Sequence, residues 1–319
     1  MTTAEILSEF PKLRALVVGD VCLDRWCTYD PALALPSSET GIPRIGVVTT
    51  ELTPGAAGTI ANNLAALKAG EVSVMGAIGE DGFGYELRRA LQARGIASDL
   101  LLAAPGIATF TYTKLLNSET GEEDLPRVDF VNTQPLPETL ERELVSRLER
   151  AAPEYDVILV SDQAETSSGG IVTPRMREAL ARIPNALVWV DSRMRGEHFR
   201  NVVVKPNRQE ADAACLRAFG KVDYAELRRY VNAPVLIVTQ GGEGAQVITA
   251  EGTSFVATPA IAKPVDICGA GDSFSAAAAL ALRVSGNAEE AARLGNRVAS
   301  ITIMKKGTGT ASPEEVLGG

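Results

Sequence analysis

The stretch DICGAGDSF at residues 266–274, running into the alanine-rich SAAAALALRVSG at 275–286, decides how this chain reads. Gly269 and Gly271 let the backbone turn tightly and leave N–H groups pointing into one concavity, and the helix that starts there adds its positive end. Gly269, Ala270, Gly271 and Asp272 are thus candidates for an anion site. Asp272 stands at the helix start, where a carboxylate can also cap the first turn. Working outward, VVVKPNRQE at 202–210 is a strand running straight into a helix. Asn207 and Glu210 are three apart and share one face of its first turn. Two readings stay open there: a capping box, or a polar end that holds Mg²⁺ through water. Lys205 is either a snorkelling strand-end lysine or a phosphate contact. VLIVTQGGEG at 235–244 is another strand opening into glycines, Gly241 and Gly244 among them. In an open α/β sheet, ligands bind at the carboxyl ends of the strands, and all three segments place their polar residues there.

The rest of the chain fits such a sheet. Short apolar runs at 14–21, 72–78, 157–161, 187–190, 202–205 and 235–239 alternate with amphipathic segments at 58–68, 83–94, 137–152, 173–182, 208–219 and 224–230. The alternation predicts an α/β fold, an open mostly parallel sheet with helices on both faces. Residues 45–52 and 109–116 alternate by twos instead and read as half-exposed antiparallel strands of a small β lid. The expected insertions are at about 26–53 and 107–131 in a single domain spanning 1–319. So small a sheet is not stable alone, so it must cover something or pair with a second copy, and a homodimer through the lid is expected. The acidic NSETGEED at 117–124 reads as a hairpin tip, and TSSGG at 166–170 as a loop.

Composition narrows the function. Lysine plus arginine is 31 against 40 acidic residues, a net charge of −9, which disfavours a general nucleic-acid binder because that affinity comes from neutralised phosphates. Hydrophobic residues at 45% and charged residues at 22% exclude disorder. The first eleven residues lack a basic region followed by an apolar core, and no apolar run reaches the ~18 residues of a membrane span. Cys22, Cys27, Cys215 and Cys268 form no paired or zinc-like framework, so reduced thiols and a cytoplasmic protein are expected.

Taken together, these motifs resemble the ribokinase/PfkB family of ATP-dependent carbohydrate kinases over essentially the whole chain. DICGAGDSF is similar to the family's D-x-x-G-A-G-D-x-F signature, KPNRQE to its P-N-x-x-E element and VTQGGEG to its V-T-x-G-x-x-G segment. GDVCLD at 19–24, PGAAGTIANNLAALKAG at 54–70 and IGEDGFG at 78–84 stand at its sugar-side motifs. GDVCLDRW at 19–26, RVDF at 127–130, LVSD at 159–162 and GTGTASPEE at 307–315 look most like the heptose-phosphate kinase branch, and the nucleotidyltransferase half sometimes fused to that branch is not expected here.

The resemblance implies a ribokinase-like fold and a chemistry. Asp272 would be the general base for a sugar hydroxyl, and the backbone of Gly269, Ala270, Gly271 and Asp272 would form the anion hole. Asn207 and Glu210 would hold Mg²⁺ and phosphates. Lys205, Thr239, Gly241, Gly244 and Asn296 would line the ATP channel. Asp24, Gly55, Thr59, Asp162 and Arg193 would meet the acceptor, a sugar or sugar phosphate, and Asp266 would lie beside a K⁺ ion.

This chain departs from the pattern on the sugar side. Ala56 replaces a glycine, and its methyl is expected to obstruct a sugar. Thr59 replaces an asparagine, offering one hydroxyl in place of a bidentate amide. Gln163-Ala-Glu165 stands where the heptose branch has a tyrosine and then a lysine, with Arg193 as the cation that could substitute. A nucleoside kinase of the same superfamily, or a non-catalytic sugar or nucleotide sensor, are the alternatives. No G-x-G-x-x-G opens a helix and no G-x-x-x-x-G-K-[ST] exists, so Rossmann dehydrogenases and P-loop NTPases are excluded.

Overall fold

The computed structural model describes residues 1–166, 168–259, 261 and 263–318; Ser167 of the 166–170 loop lies outside the described residues. Nine strands form the main sheet. In chain order they are β1 (Arg14–Gly19), β4 (Glu71–Gly79), β5 (Ala97–Ala104), β8 (Val157–Asp162), β9 (Leu187–Ser192), β10 (Val203–Val204), β11 (Leu236–Thr239), β12 (Gly244–Ile248) and β13 (Thr253–Ala257). Their order across the sheet is β13-β12-β11-β10-β9-β8-β1-β4-β5. All neighbours from β5 to β11 are parallel, and β12 and β13 add an antiparallel edge.

Period-two alternation sorts the strand side chains onto two helical layers. Ala15 and Val17 of β1 and Val157 and Leu159 of β8 face one core, with α1 (Thr3–Glu9), α2 (Ala57–Ala66), α3 (Gly82–Gln92), α8 (Ala270–Ser285), α9 (Ala288–Thr302) and α10 (Pro313–Gly318). Leu16, Val18, Ile158 and Val160 face the other, with α4 (Glu138–Ala151), α5 (Pro174–Leu180), α6 (Arg208–Phe219) and α7 (Tyr224–Tyr230). Every residue of α8 from Ser273 to Leu282 is buried, and its alanines let this helix lie close on the sheet. No helix among the described residues is long and apolar enough to cross a membrane.

A second sheet has the order β3-β2-β6-β7, from β2 (Val21–Asp30), β3 (Gly46–Ala56), β6 (Thr111–Asn117) and β7 (Val128–Phe130). It is the expected lid, with one correction: β6 runs parallel to β2, while β3 and β7 are antiparallel to their neighbours. The strand expected at 14–21 is also two elements. β1 ends at Gly19, where a Cβ would meet the Ser161 carbonyl oxygen at 2.1 Å, and Val21 opens β2. Between them Asp20 accepts backbone N–H bonds from Gln163, Ala164 and Ile171 and ties the end of β1 to the loop after β8. The sequence pattern does not mark β5, whose apolar stretch 100–104 is only partly covered, or the short hairpin β12–β13, whose strands mix polar and apolar residues.

Ala56, at the start of α2, has φ 51° and ψ −116°, a region that favours glycine. Ala56→Gly is therefore expected to raise unfolding stability by about 1 kcal/mol in urea titration, since strain of this kind costs of order 1–3 kcal/mol and glycine returns part of that through chain entropy.

Candidate active site

Asp272 sits in the third position of α8, behind a glycine start. Gly269 precedes the helix at φ 76° and offers no side-chain cap. Asp272 is therefore not the cap that a helix-start carboxylate can be, and first-turn N–H groups remain free for a ligand. Burial, with Asp191 and Asp24 nearby and only partly offset by Lys205 and Arg193, pushes the Asp272 carboxyl up to about 8. Two cavities meet at this residue, one of about 670 Å³ and one of about 190 Å³, and Gln163, Arg193, Gly269 and Asp272 line both.

The larger cavity collects the carboxyl ends of β9, β10 and β11. Lys205, Asn207, Glu210, Thr239, Gly241, Gly244 and Asn296 all line it. Lys205 is buried, its Nζ 2.7 Å from Asp191 Oδ2, and a Cβ on Gly271 would come within 3.4 Å of that Nζ. The lysine thus stands over the glycine loop. Asn207 and Glu210 form a real capping box: Asn207 Oδ1 accepts the Glu210 N–H at 2.9 Å and Glu210 Oε2 accepts the Asn207 N–H at 2.8 Å. The capping reading is therefore correct, and Glu210 Oε1 is still available to the cavity. Burial raises the Glu210 carboxyl, with Asp191 adding to the shift. Gly241, at φ 56°, makes a turn with open space around it. Gly244 is required by its own hairpin, since a Cβ would meet the Val256 carbonyl oxygen at 2.2 Å. Asn296 donates to that same carbonyl at 3.0 Å, tying α9 to β13.

The smaller cavity lies under the lid. Asp24, Trp26, Ala56, Thr59, Tyr112, Lys114 and Arg127 contribute to its wall. The Asp24 carboxyl is pushed up to about 6 by burial, against the Cys22 hydrogen bond and the charges of Lys114 and Arg127. Lys114 stacks over Trp26 at 4.5 Å and the Arg127 guanidinium over Tyr112 at 4.9 Å. Arg193 pairs with Glu165 at the junction of the two cavities. Thr59 is buried, donates to the Pro54 carbonyl at 3.5 Å, and packs beside Gly269. Trp26 faces the cavity, whereas Tyr29 is buried with its hydroxyl on Asp124. Cys268 is exposed on the cavity wall, unlike buried Cys22, Cys27 and Cys215.

Three sequence candidates have other tasks. Asp162 lines neither cavity: its carboxylate accepts Ser192 Oγ at 2.7 Å and Arg195 Nη1 at 2.9 Å, because β8 carries it inward between β9 and the following loop. Gly55 also lines neither; it makes room for Asp24, whose Oδ1 would be 2.3 Å from a Cβ there. Asp266 accepts the Cys268 and Gly307 N–H groups and fastens the loop before α8 to the chain after α9.

Residues 16–315 match the description "pfkB family carbohydrate kinase". The chain belongs to the pfkB family of carbohydrate kinases. It is 31% identical over 324 residues to the bifunctional protein HldE of Trichlorobacter lovleyi, covering 96% of this chain and 62% of that protein. It is 30% identical over 333 residues to HldE of Pelobacter propionicus, covering 99% and 66%. The chain thus spans less than two thirds of the length of these curated relatives. In fold it is similar to ribokinase from Thermotoga maritima, with TM-score 0.71 and 20% identity over 96% of this chain and 98% of that one. It is likewise similar to phosphofructokinase-2 from Escherichia coli, solved in complex with potassium, with TM-score 0.74 and 20% identity over 96% and 97%. The α/β sheet with its small second sheet is the ribokinase-like fold of these pfkB-family neighbours.

Several residues in or beside the cavities escape a motif-based reading. Asp191, buried against Lys205 and bonded by Ser275 Oγ at 3.2 Å, ends an apolar strand and looks like a loop residue. Tyr112 and Lys114 alternate on a lid strand, and only the sheet shows that their side chains reach the cavity. Asp20 lies one residue past β1, and its three distant backbone partners are invisible in sequence.

Proposed function

We propose that this chain transfers the γ-phosphate of ATP to a hydroxyl of a sugar phosphate, with Asp272 as the general base. The observation that carries the reading is the placement of Asp272 on the shared wall of the two cavities. Asp272 takes the proton of the acceptor hydroxyl, whose oxygen bonds to the γ-phosphorus as the bond to the ADP oxygen breaks. Free N–H groups at Gly269, Gly271 and Asp272, with the Lys205 ammonium, meet the charge on the phosphoryl oxygens, while the Ala270 N–H is held by the Ile267 carbonyl at 3.2 Å. Thr239, Gly241 and Gly244 border the nucleotide, and Asn296 shapes the end of the cavity that takes the base. Lys114, Arg127 and Arg193 line the acceptor cavity beside the carboxylates of Asp24, Glu165 and Asp272, and an acceptor phosphate would replace their present partners Glu123, Asp129 and Glu165. Asp24 and Thr59 meet its hydroxyls, and Arg193 supplies the cation that Gln163 and Glu165 do not.

The donor set suits Mg²⁺, which takes one or two carboxylates and completes its shell with waters and phosphates. Glu210 Oε1 would hold it through water, with Asn207 beside it; the ion supplies charge neutralisation between the phosphates. Glu210→Gln keeps an oxygen for the Asn207 N–H, so the melting temperature should change little while the Mg²⁺ concentration for half-maximal rate rises about tenfold or more; a titration of rate against Mg²⁺ checks this. A K⁺ ion beside Asp266 would have to use lone pairs left over from two backbone bonds, and rates in Na⁺ and K⁺ buffers test it.

A second copy of the chain is the proposed cover for the lid. β3 is an edge strand, and Val47 and Val48, at the irregularity where its pairing with β2 slips by one residue, are 45% and 51% exposed. The edge thus leaves two apolar side chains uncovered, an arrangement that strand pairing relieves. Light scattering is expected to give a dimer for the wild type and a monomer for Val47→Lys/Val48→Lys; a wild-type monomer contradicts the pairing. Within this reading the protein works in the cytoplasm and engages neither nucleic acid nor membrane.

The test of function is ATP consumption with Mg²⁺ across hexoses, pentoses, sugar phosphates and nucleosides, with Asp272→Asn as control. Turnover with a sugar phosphate that the variant loses supports the proposal. Turnover with nucleosides alone, or ATP binding without turnover on any acceptor, rejects it.

A further inference from the structure

Behind the acceptor cavity lies a smaller one of about 50 Å³, whose wall includes Asp20, Phe110, Asp129 and Val131. The two cavities share Ala56, Tyr112 and Glu165. Tyr112 and Glu165 are large side chains, but Ala56 adds to this partition a single methyl group. The chain holds that methyl at φ 51° and ψ −116°, where glycine would sit without strain. Asp129 is also on the back cavity's wall: Oδ2 takes both bonds of the Arg127 fork, while Oδ1 has no partner and is closed off from solvent.

We propose that Ala56 sets the length of the acceptor: its methyl closes the back cavity, so this chain selects a shorter sugar phosphate than glycine at this position would admit. The inference rests on the phosphotransfer reading above for the identity of the ligand, and on the cavity geometry for its length.

The test is binding, by calorimetry in the presence of ADP, of aldose phosphates of five, six and seven carbons, followed by turnover on the same series. In wild type, affinity should fall with length. In Ala56→Gly the ratio of longest to shortest should rise about tenfold or more, the effect of one methylene-sized change in a pocket. Ala56→Ser, which keeps the bulk, should leave the ratio at its wild-type value. An unchanged ratio in Ala56→Gly, or an equal shift in Ala56→Ser, overturns the proposal. A shifted binding ratio without turnover by any protein in the series would instead reject the phosphotransfer reading and leave the length filter standing.

Discussion

Asp272→Asn is expected to bind ATP as wild type does and to lose turnover by roughly 10²–10⁴-fold, the contribution of a positioned general base. Asparagine keeps the shape of the side chain at the junction of the cavities but cannot accept the hydroxyl proton. The carboxyl, pushed up to about 8 by burial, also fixes the pH dependence. The base form grows as pH rises, so wild-type kcat/KM should climb toward pH 8 and level off above it. Stability moves the other way. A carboxyl raised from 3.8 to about 8 on folding binds its proton more tightly in the folded state. Its contribution is complete below the unfolded value and is lost as pH rises through the folded one. Asp272→Asn has no such group, so its melting temperature relative to wild type should increase between about pH 5 and pH 9. A variant less active and more stable at alkaline pH marks a residue kept for chemistry. Retained turnover, or a stability difference that shrinks with pH, would count against the assignment.

Lys205→Met should have the largest effect on stability. The Lys205–Asp191 pair is buried, with only 4% and 8% of the two side chains exposed, and removing the lysine leaves Asp191 with the Ser275 hydroxyl alone. Breaking a buried pair from one side costs about 3–5 kcal/mol, measurable as a lower urea midpoint. Lys205→Met/Asp191→Asn should recover much of that loss, because the stranded charge is gone. Neither variant should recover turnover, since the cation over the glycine loop is missing in both. Lys205 also holds the Asp272 carboxyl down, so residual activity in Lys205→Met should shift to higher pH. A single variant as stable as wild type would show that the pair is not the buried ion pair seen here.

Legibility in the sequence followed the range of the interactions involved. The glycine loop before α8, the capping box of α6 and the turn at Gly241 are local: each is fixed by residues a few positions apart, so DICGAGDSF, PNRQE and TQGGEG announce them. The apolar runs of β1, β4, β8, β9 and β11 are legible for a related reason. A parallel strand covered on both faces must be apolar at consecutive positions. Asp162 shows the limit. It ends a motif on β8 and reads as a ligand-facing carboxylate, yet Ser192 and Arg195, some thirty residues away, take it inward.

The sequence by itself determined the doubly covered sheet, the existence of the lid and the glycine-led start of α8, because hydrophobic period and glycine placement act over one element at a time. Only the tertiary structure decided that β6 runs parallel to β2, that Lys205 is paired with Asp191, and that Ala56 stands between two cavities. Those facts depend on which distant segments share a volume, and burial then sets their energetics: a charge, a carboxyl proton or a methyl group acquires its effect from neighbours that the linear chain does not name.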